Sequence, residues 1–375
     1  MTTVVTRVPA HASLEVDLSA VAANTRLFAA RTPGALMAVV KADGFGHGAA
    51  DVARTALAQG ASWLGVTSLD EAFGLRGAGL RAPVLSWLNP AGADFHEARR
   101  QDVDVAVPST SHLRAVAGAG LAARVACRVH LHLDVGMARD GAAPSEWEHL
   151  CRAAREAEQA GTVRVVGVMG HLGNAETPGD PANAVGRARF AWGLATARAA
   201  GLRPPLRHLA ATAATLTDPA SLHTLSRVGA GLVGIDPSGT TRLSPALTLT
   251  APVVGVRRVA PGTPVGYGGA WRAPHATTLA LLPVGYADGL PRAASGRAEV
   301  LLRDRRRPLV GRVSMDQVVV DLGDDSVDLG EVATVFGPGY GGEPTAADWA
   351  AWAGTIEHEI VTGIGARVTR RVVGS

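Results

Sequence analysis

Lysine is almost missing from this chain of 375 residues: of its 36 basic residues, all but Lys41 are arginine. Arginine keeps its charge in proteins, whereas lysine can lose its proton and become a nucleophile. Arginine therefore stands wherever a positive charge suffices, and the surviving lysine points to a position that needs a primary amine. Chance survival is the competing reading, and the residues around Lys41 have to decide between the two. Aromatic residues make up only 4%, so a core must be assembled from Ala, Val and Leu; tyrosine, with three copies, is nearly as sparse as lysine. Charged residues stop at 18% while hydrophobic residues reach 47%, which excludes a disordered chain. The two cysteines, Cys127 and Cys151, allow one disulfide, but a reduced intracellular protein is the simpler expectation. No stretch approaches the ~20 apolar residues of a membrane span, and no charged segment followed by an apolar one opens the chain. A net charge of +3, with no basic run beyond Arg305-Arg306-Arg307, leaves no footprint for nucleic acid. The expectation is a soluble cytoplasmic protein with a small-molecule substrate, no membrane or nucleic-acid partner and no metal site.

Glycine, in contrast, is abundant, with 45 copies, or about 12% against the ~7% of an average protein. From His11 to Gly239 apolar runs alternate with helical patterns. Strands are predicted at Ala35 to Lys41, Trp63 to Thr67, Pro83 to Leu88, Val103 to Val107, Val125 to Val135, Val163 to Met169, Leu206 to Ala210 and Val228 to Val233. Capping boxes at Ser68-Leu-Asp-Glu71 and Ser145-Glu-Trp-Glu148 predict helix starts, and Asp17 can cap an earlier helix. About eight strand–helix units fit a closed (β/α)₈ barrel of the TIM type, although an open doubly wound sheet satisfies the same periodicity. Beyond Pro245 the texture changes to short β-like runs separated by Gly/Pro turns, with one helical stretch from Thr345 to Thr362. The expected organisation is a barrel over residues 11–240 and a mostly-β domain over 241–375, the latter joined by a strand from residues 1–10.

Chemistry in such a barrel sits at the C-terminal ends of its strands, which is where Lys41 falls. An apolar floor would lower the amine's pKa and prepare it to form a Schiff base. The segment Ala38-Val-Val-Lys-Ala-Asp-Gly-Phe-Gly-His-Gly48 resembles the pyridoxal-phosphate lysine motif of the alanine racemase family, fold type III enzymes with a barrel and a C-terminal β domain. Seven further segments agree with that family in order and spacing. Leu133-Asp-Val-Gly-Met-Ala-Arg139 resembles the segment whose arginine approaches the cofactor and the substrate carboxylate, and Val168-Met-Gly-His171 the one whose histidine packs on the cofactor ring. His208 matches a histidine that hydrogen-bonds behind the cofactor, and Arg227 the arginine at the pyridine nitrogen. Tyr267, in Pro264-Val-Gly-Tyr-Gly268, matches a second catalytic base. Tyr286, Met315 and Asp316 fall in C-terminal segments lining the substrate entrance. Taken singly, each histidine reads as structural, Arg139 as a surface residue and the tyrosine segments as turns. Seven segments in register favour the functional reading.

The resemblance implies a pyridoxal 5'-phosphate racemase that interconverts L- and D-alanine, an isomerase making a cell-wall precursor, with Lys41 and Tyr267 as bases on opposite faces of the substrate. It implies a homodimer in which the lysine of one copy faces the tyrosine of the other. It also assigns Phe45, His171, His208, Thr212, Arg227, Gly229, Ala230 and His358 to the cofactor, and Arg139, Tyr286, Met315 and Asp316 to the substrate. Several of these positions depart from the family pattern. Phe45 and His358 stand where it has tyrosines, Ala211-Thr212 where it has Asn-Ser, His132 where many members carry a modified lysine, and Val228-Gly-Ala230 where it has Pro-Gly-Ile. The cofactor phosphate is expected to rest on Thr212 and the backbone around Gly229 and Ala230. The departures leave open an enzyme for another amino acid in specialised metabolism, or a weakly active or non-catalytic cofactor-binding relative.

Overall fold

The computed structural model describes residues 11–374. One compact unit, Val21–Leu243, is built on a sheet of eight parallel strands. In chain order these are Ala35–Val39, Trp63–Val66, Val84–Ser86, Val103–Val107, Cys127–His132, Val163–Met169, Leu206–His208 and Leu225–Val228. The first seven strands lie in the sheet in chain order, and the eighth returns to pair with the first, Ala35 opposite Leu225 and Met37 opposite Arg227. Every residue of Val103–Val107 is buried, as expected for a strand covered on both faces. Between Leu206–His208 and Leu225–Val228 no ladder forms. That seam is held instead by the Arg207 N–H on Thr224 Oγ1 (2.8 Å) and the Arg227 N–H on Ala210 O (3.0 Å). The architecture is the predicted barrel rather than an open doubly wound sheet.

Two local expectations fail for identifiable reasons. Ser68 and Glu71 do form a capping box, but Ser145 and Glu148 do not, because the helix Pro144–Gln159 already begins at Pro144. Proline's fixed φ suits the first helical position, so Ser145 lies inside the helix and Ala143 is its N-cap. The run Val228 to Val233 is not one strand. The strand ends at Val228, and beyond Gly229 the residues Ala230–Val233 coil into a 3₁₀ turn.

The other unit combines the described residues through Ala20 with the chain from Ser244 onward. Its nine-stranded sheet runs in the order Gly255–Val259, Thr277–Leu282, Val318–Gly323, Arg305–Val310, Glu299–Leu302, Val332–Phe336, Leu247–Pro252, Ser13–Asp17, Thr369–Val373. The N-terminal strand in this sheet is Ser13–Asp17, antiparallel to Leu247–Pro252 and parallel to Thr369–Val373. The strand expected in residues 1–10 lies outside the described residues. Asp17 ends the strand and accepts the Ser19 N–H (2.8 Å) as the next helix starts. The single helical stretch expected near the C-terminus is two helices, Ala346–Ala353 and Glu357–Gly363, separated at Gly354, whose φ of 71° is left-handed. Among the described residues no helix is long and apolar enough to cross a membrane.

Candidate active site

Lys41 follows the end of the first barrel strand and opens a left-handed turn. Ala42, Asp43, Gly44 and Phe45 have φ values of 51°, 53°, 64° and 57°. Each L-residue held there is disfavoured by roughly 1–2 kcal/mol, so the surroundings must impose the shape. They do so with hydrogen bonds. Glu71 takes the Ala42 N–H on Oε1 and the Thr67 N–H on Oε2, both at 2.7 Å, and Asp43 Oδ1 accepts the Ala49 N–H at 2.9 Å. Phe45 is buried with its ring over Gly229, where a Cβ would lie 2.7 Å from the ring. The Lys41 Nζ stands 5.9 Å from the centre of the same ring. Burial, reinforced by the charge of Arg139 and opposed by that of Glu71, brings the Lys41 amine below its ordinary pKa.

On the seam of the barrel, Arg227 is anchored by both terminal nitrogens. Nη1 donates to His208 O (2.8 Å) and His208 Nδ1 (3.0 Å), and Nη2 to Gly170 O (2.7 Å), Leu209 O (3.3 Å) and His171 Nδ1 (3.3 Å). Among the described residues its Nε donates to none. Burial lowers the guanidinium to about 10, which leaves it cationic at neutral pH. Burial, and then the charge of Arg227, push His171 down to about 3 and His208 well below the histidine range, so both rings are neutral. Thr212 Oγ1 accepts the Gly231 N–H at 3.2 Å, so this N–H is already taken while the Thr212 O–H donates to no described residue. Ala230 begins the 3₁₀ turn, where the first N–H groups have no partner within the turn.

Arg139 lies on an exposed loop shaped by Asp134, whose Oδ1 gathers the N–H groups of Gly136 (2.8 Å), Met137 (2.9 Å) and Ala138 (3.2 Å). Behind it, His132 Nδ1 lies 3.4 Å from Asp140 Oδ2. Lys41, Phe45, Arg139, His171, His208, Thr212, Arg227, Gly229 and Ala230 therefore all belong to the barrel unit.

The remaining candidates lie in the C-terminal unit, and the turns that carry Tyr267 and Tyr286 pack along the loop from Gly311 to Met315. Gly266, just before Tyr267, approaches Arg312, and Gly311 approaches the Val265 carbonyl so closely that a Cβ there would lie 2.8 Å away. The Tyr286 N–H donates to Ser314 O (3.0 Å) and the Ala287 N–H to Met315 O (2.9 Å). A Cβ on Gly285 would meet both carbonyls at 2.4 Å, so only glycine admits this approach. Tyr267, Met315 and Tyr286 are exposed, at 71%, 52% and 41%. Asp316 is bound by Arg367 (2.8 Å), which also reaches Asp288 (3.2 Å), and His358 lies half-buried in the helix Glu357–Gly363.

Comparison with known proteins agrees with this division. Residues 16–237 match the family described as "Alanine racemase, N-terminal domain", and residues 246–372 match "Alanine racemase, C-terminal domain". This chain belongs to the alanine racemase family. It is 45% identical over 368 residues to the alanine racemase of Thermobifida fusca, covering 97% of this chain and 98% of that one. The solved alanine racemase of Streptomyces lavendulae superposes with a TM-score of 0.95 at 42% identity, covering 98% of both chains. That of Bartonella henselae, solved with covalently bound pyridoxal phosphate, gives a TM-score of 0.89 at 26% identity over 97% of this chain and 100% of that one.

Two carboxylates that shape the racemase-type barrel site escaped the reading of motifs. Glu71 was visible as a capping residue, but not as the group that also grips Ala42, 29 positions away. Asp134 lay inside the quoted arginine motif without a role; its place two to four residues before the N–H groups it binds was the usable signal.

Proposed function

We propose that this protein interconverts L- and D-alanine using pyridoxal 5'-phosphate, with Lys41 and Tyr267 as the two proton-transferring groups. The observation that carries the reading is Lys41: the chain's one side-chain amine sits at a strand end of the barrel, partly desolvated, beside Arg139. The donor set fits the cofactor. Arg227 offers a free Nε–H beside neutral His171, Thr212 keeps an O–H to give, and the Ala230 N–H at the start of the 3₁₀ turn is left for an anion, the Gly231 N–H being held by Thr212. When bound, pyridoxal phosphate supplies the electron sink that makes the α-proton of an amino acid removable.

The chain's own groups supply the rest. A neutral Lys41 Nζ takes or returns a proton on one face, and Tyr267 Oη does so on the other. Arg227 stays cationic and offers a hydrogen bond without a readily lost proton, so it does not acidify what it touches. Arg139 provides a positive charge for a carboxylate. We read the assembly as a homodimer in which Tyr267 of a second copy completes the barrel site, a reading supported by the exposure of Tyr267, Met315 and Tyr286. The cytoplasm suits the two free, buried thiols, and D-alanine made there would serve as a cell-wall precursor.

Chiral analysis of products from a panel of L-amino acids tests this reading, with D-alanine the expected main product. Borohydride should fix the cofactor to the Lys41 peptide. A holoprotein that leaves alanine untouched but racemises a larger amino acid would establish the second reading, which rests on Phe45 and His358 in place of two tyrosines.

A further inference from the structure

Inside the barrel a continuous chain of side chains leads away from Arg227. His208 Nε2 lies 2.8 Å from His130 Nδ1, and His130 Nε2 lies 3.3 Å from Asp104 Oδ2. Asp104 is in turn held by Arg128, whose Nε donates to Oδ1 at 2.6 Å, and Arg128 extends to Asp102 at the surface. Asp104, His130 and His208 have no exposed surface. The groups come from the fourth, fifth, seventh and eighth barrel strands, and Trp63 from the second strand meets His130 edge-on at 5.7 Å. The fold makes room for the contact: a Cβ on Gly167 would sit 2.1 Å from His130 Nδ1.

The two ends determine the direction of every hydrogen bond between them. A guanidinium can only donate, and a carboxylate can only accept. His208 Nδ1 accepts from Arg227, so the proton of neutral His208 is on Nε2 and is donated to His130 Nδ1. His130 then carries its proton on Nε2 and donates it to Asp104. Burial would raise the Asp104 carboxyl, but His130 and Arg128 outweigh it and keep it ionised. A buried cation without a counter-charge is strongly disfavoured, and no described carboxylate touches Arg227 directly. Asp104 answers that charge through two imidazoles.

We propose that Asp104 and His130 are positioning residues for Arg227: the carboxylate, by accepting from His130, holds both histidines in the tautomer that the Arg227 donation requires and thereby aims the guanidinium at the ring nitrogen of the cofactor. The kinetic part of this inference rests on the racemase reading, but the tautomers do not.

Nitrogen-15 NMR of histidine-labelled holoprotein should find the His208 proton on Nε2, donated to His130 Nδ1, and the His130 proton on Nε2. Either ring cationic, or protonated on Nδ1, overturns the proposal whether or not the protein racemises anything. In Asp104→Asn an amide replaces the carboxylate and can hold the wrong tautomer. His130 should then lose its Nε2-protonated form, and with it the bond from His208, and the visible absorption of the bound cofactor should shift. Racemisation should fall in kcat by about 10- to 100-fold with little change in KM, the range for groups that orient a ligand through another residue. Adding Asp104→Asn to His130→Phe should cause no further loss, since the connection is already cut. A folded Asp104→Asn protein with unchanged absorption and full rate would also overturn the proposal. Should that variant not fold, the tautomers of the unaltered protein decide. A protein that racemises no amino acid yet shows the Nε2 pattern would sink the functional reading and leave the relay standing.

Discussion

The barrel and the C-terminal unit present their candidate groups in opposite ways. In the barrel, Arg227, His208 and Thr212 are buried and interlocked by hydrogen bonds, and even the disfavoured turn after Lys41 is clamped by Glu71 and Asp43. In the C-terminal unit, Tyr267, Tyr286 and Met315 stand exposed on glycine turns, positioned by backbone contacts with the 311–315 loop. One half is preorganised within the chain. The other is an exposed edge, and the proposed second copy would cover it. Lys41 shows how a preorganised half tunes chemistry: burial and Arg139 lower its amine while Glu71 limits the fall.

Breaking the barrel half should have the largest effect. Lys41→Ala should lower racemisation by at least the ~10⁴-fold top of the range for a lost proton-transfer group, and no cofactor should remain on any side chain after borohydride. Turnover assays and peptide mass spectrometry check both. Breaking the exposed half with Tyr267→Phe should lower racemisation by about 10²–10⁴-fold. Exchange of the α-proton with deuterated solvent should survive for one enantiomer far better than for the other; equal losses would remove the assignment of opposite faces. Mixed Lys41→Ala and Tyr267→Phe subunits should recover activity in hybrid dimers, because one of the two sites then has both groups.

A third variant sharpens the comparison rather than breaking it. Phe45→Tyr adds a hydroxyl to the barrel half, and one hydrogen bond to a charged group is worth roughly 1.5–3 kcal/mol, or about 10- to 150-fold in affinity. Cofactor retention on dialysis should rise accordingly; unchanged retention would mean that Phe45 acts only by packing on Gly229. The smallest effect is expected from Glu71→Gln. Glu71 raises the Lys41 pKa, so removing its charge should lower it further, and the neutral amine should appear at lower pH. Because Lys41 is the only lysine, acylation of its peptide in cofactor-free protein against pH measures this directly. A shift to higher pH would contradict the electrostatic assignment.

The barrel strands were legible because buried parallel strands read as continuous apolar runs; Val103–Val107 and Val163–Met169 have the bounds their residues predict. The strand Arg305–Val310 was hidden by its arginines. They read only as a basic run, while in the strand Arg305 and Arg307 pair with Asp325, and Arg306 pairs with Asp348. Ser145 misled because a capping box is a pattern over four residues and takes no account of the proline before it. The place of Ser13–Asp17 in the C-terminal sheet could not be read locally either, since its partners lie more than 200 residues away.

By itself the sequence determined which residue could supply an amine and where strands and helices alternate. These are properties of composition and of neighbours along the chain. Only the tertiary structure decided that Glu71 grips the turn after Lys41, that four αL residues follow one another there, and that Arg227 connects through His208 and His130 to Asp104. The last of these joins positions 19, 78 and 26 residues apart. Such contacts have no local signature, because barrel closure brings the strands that carry them side by side.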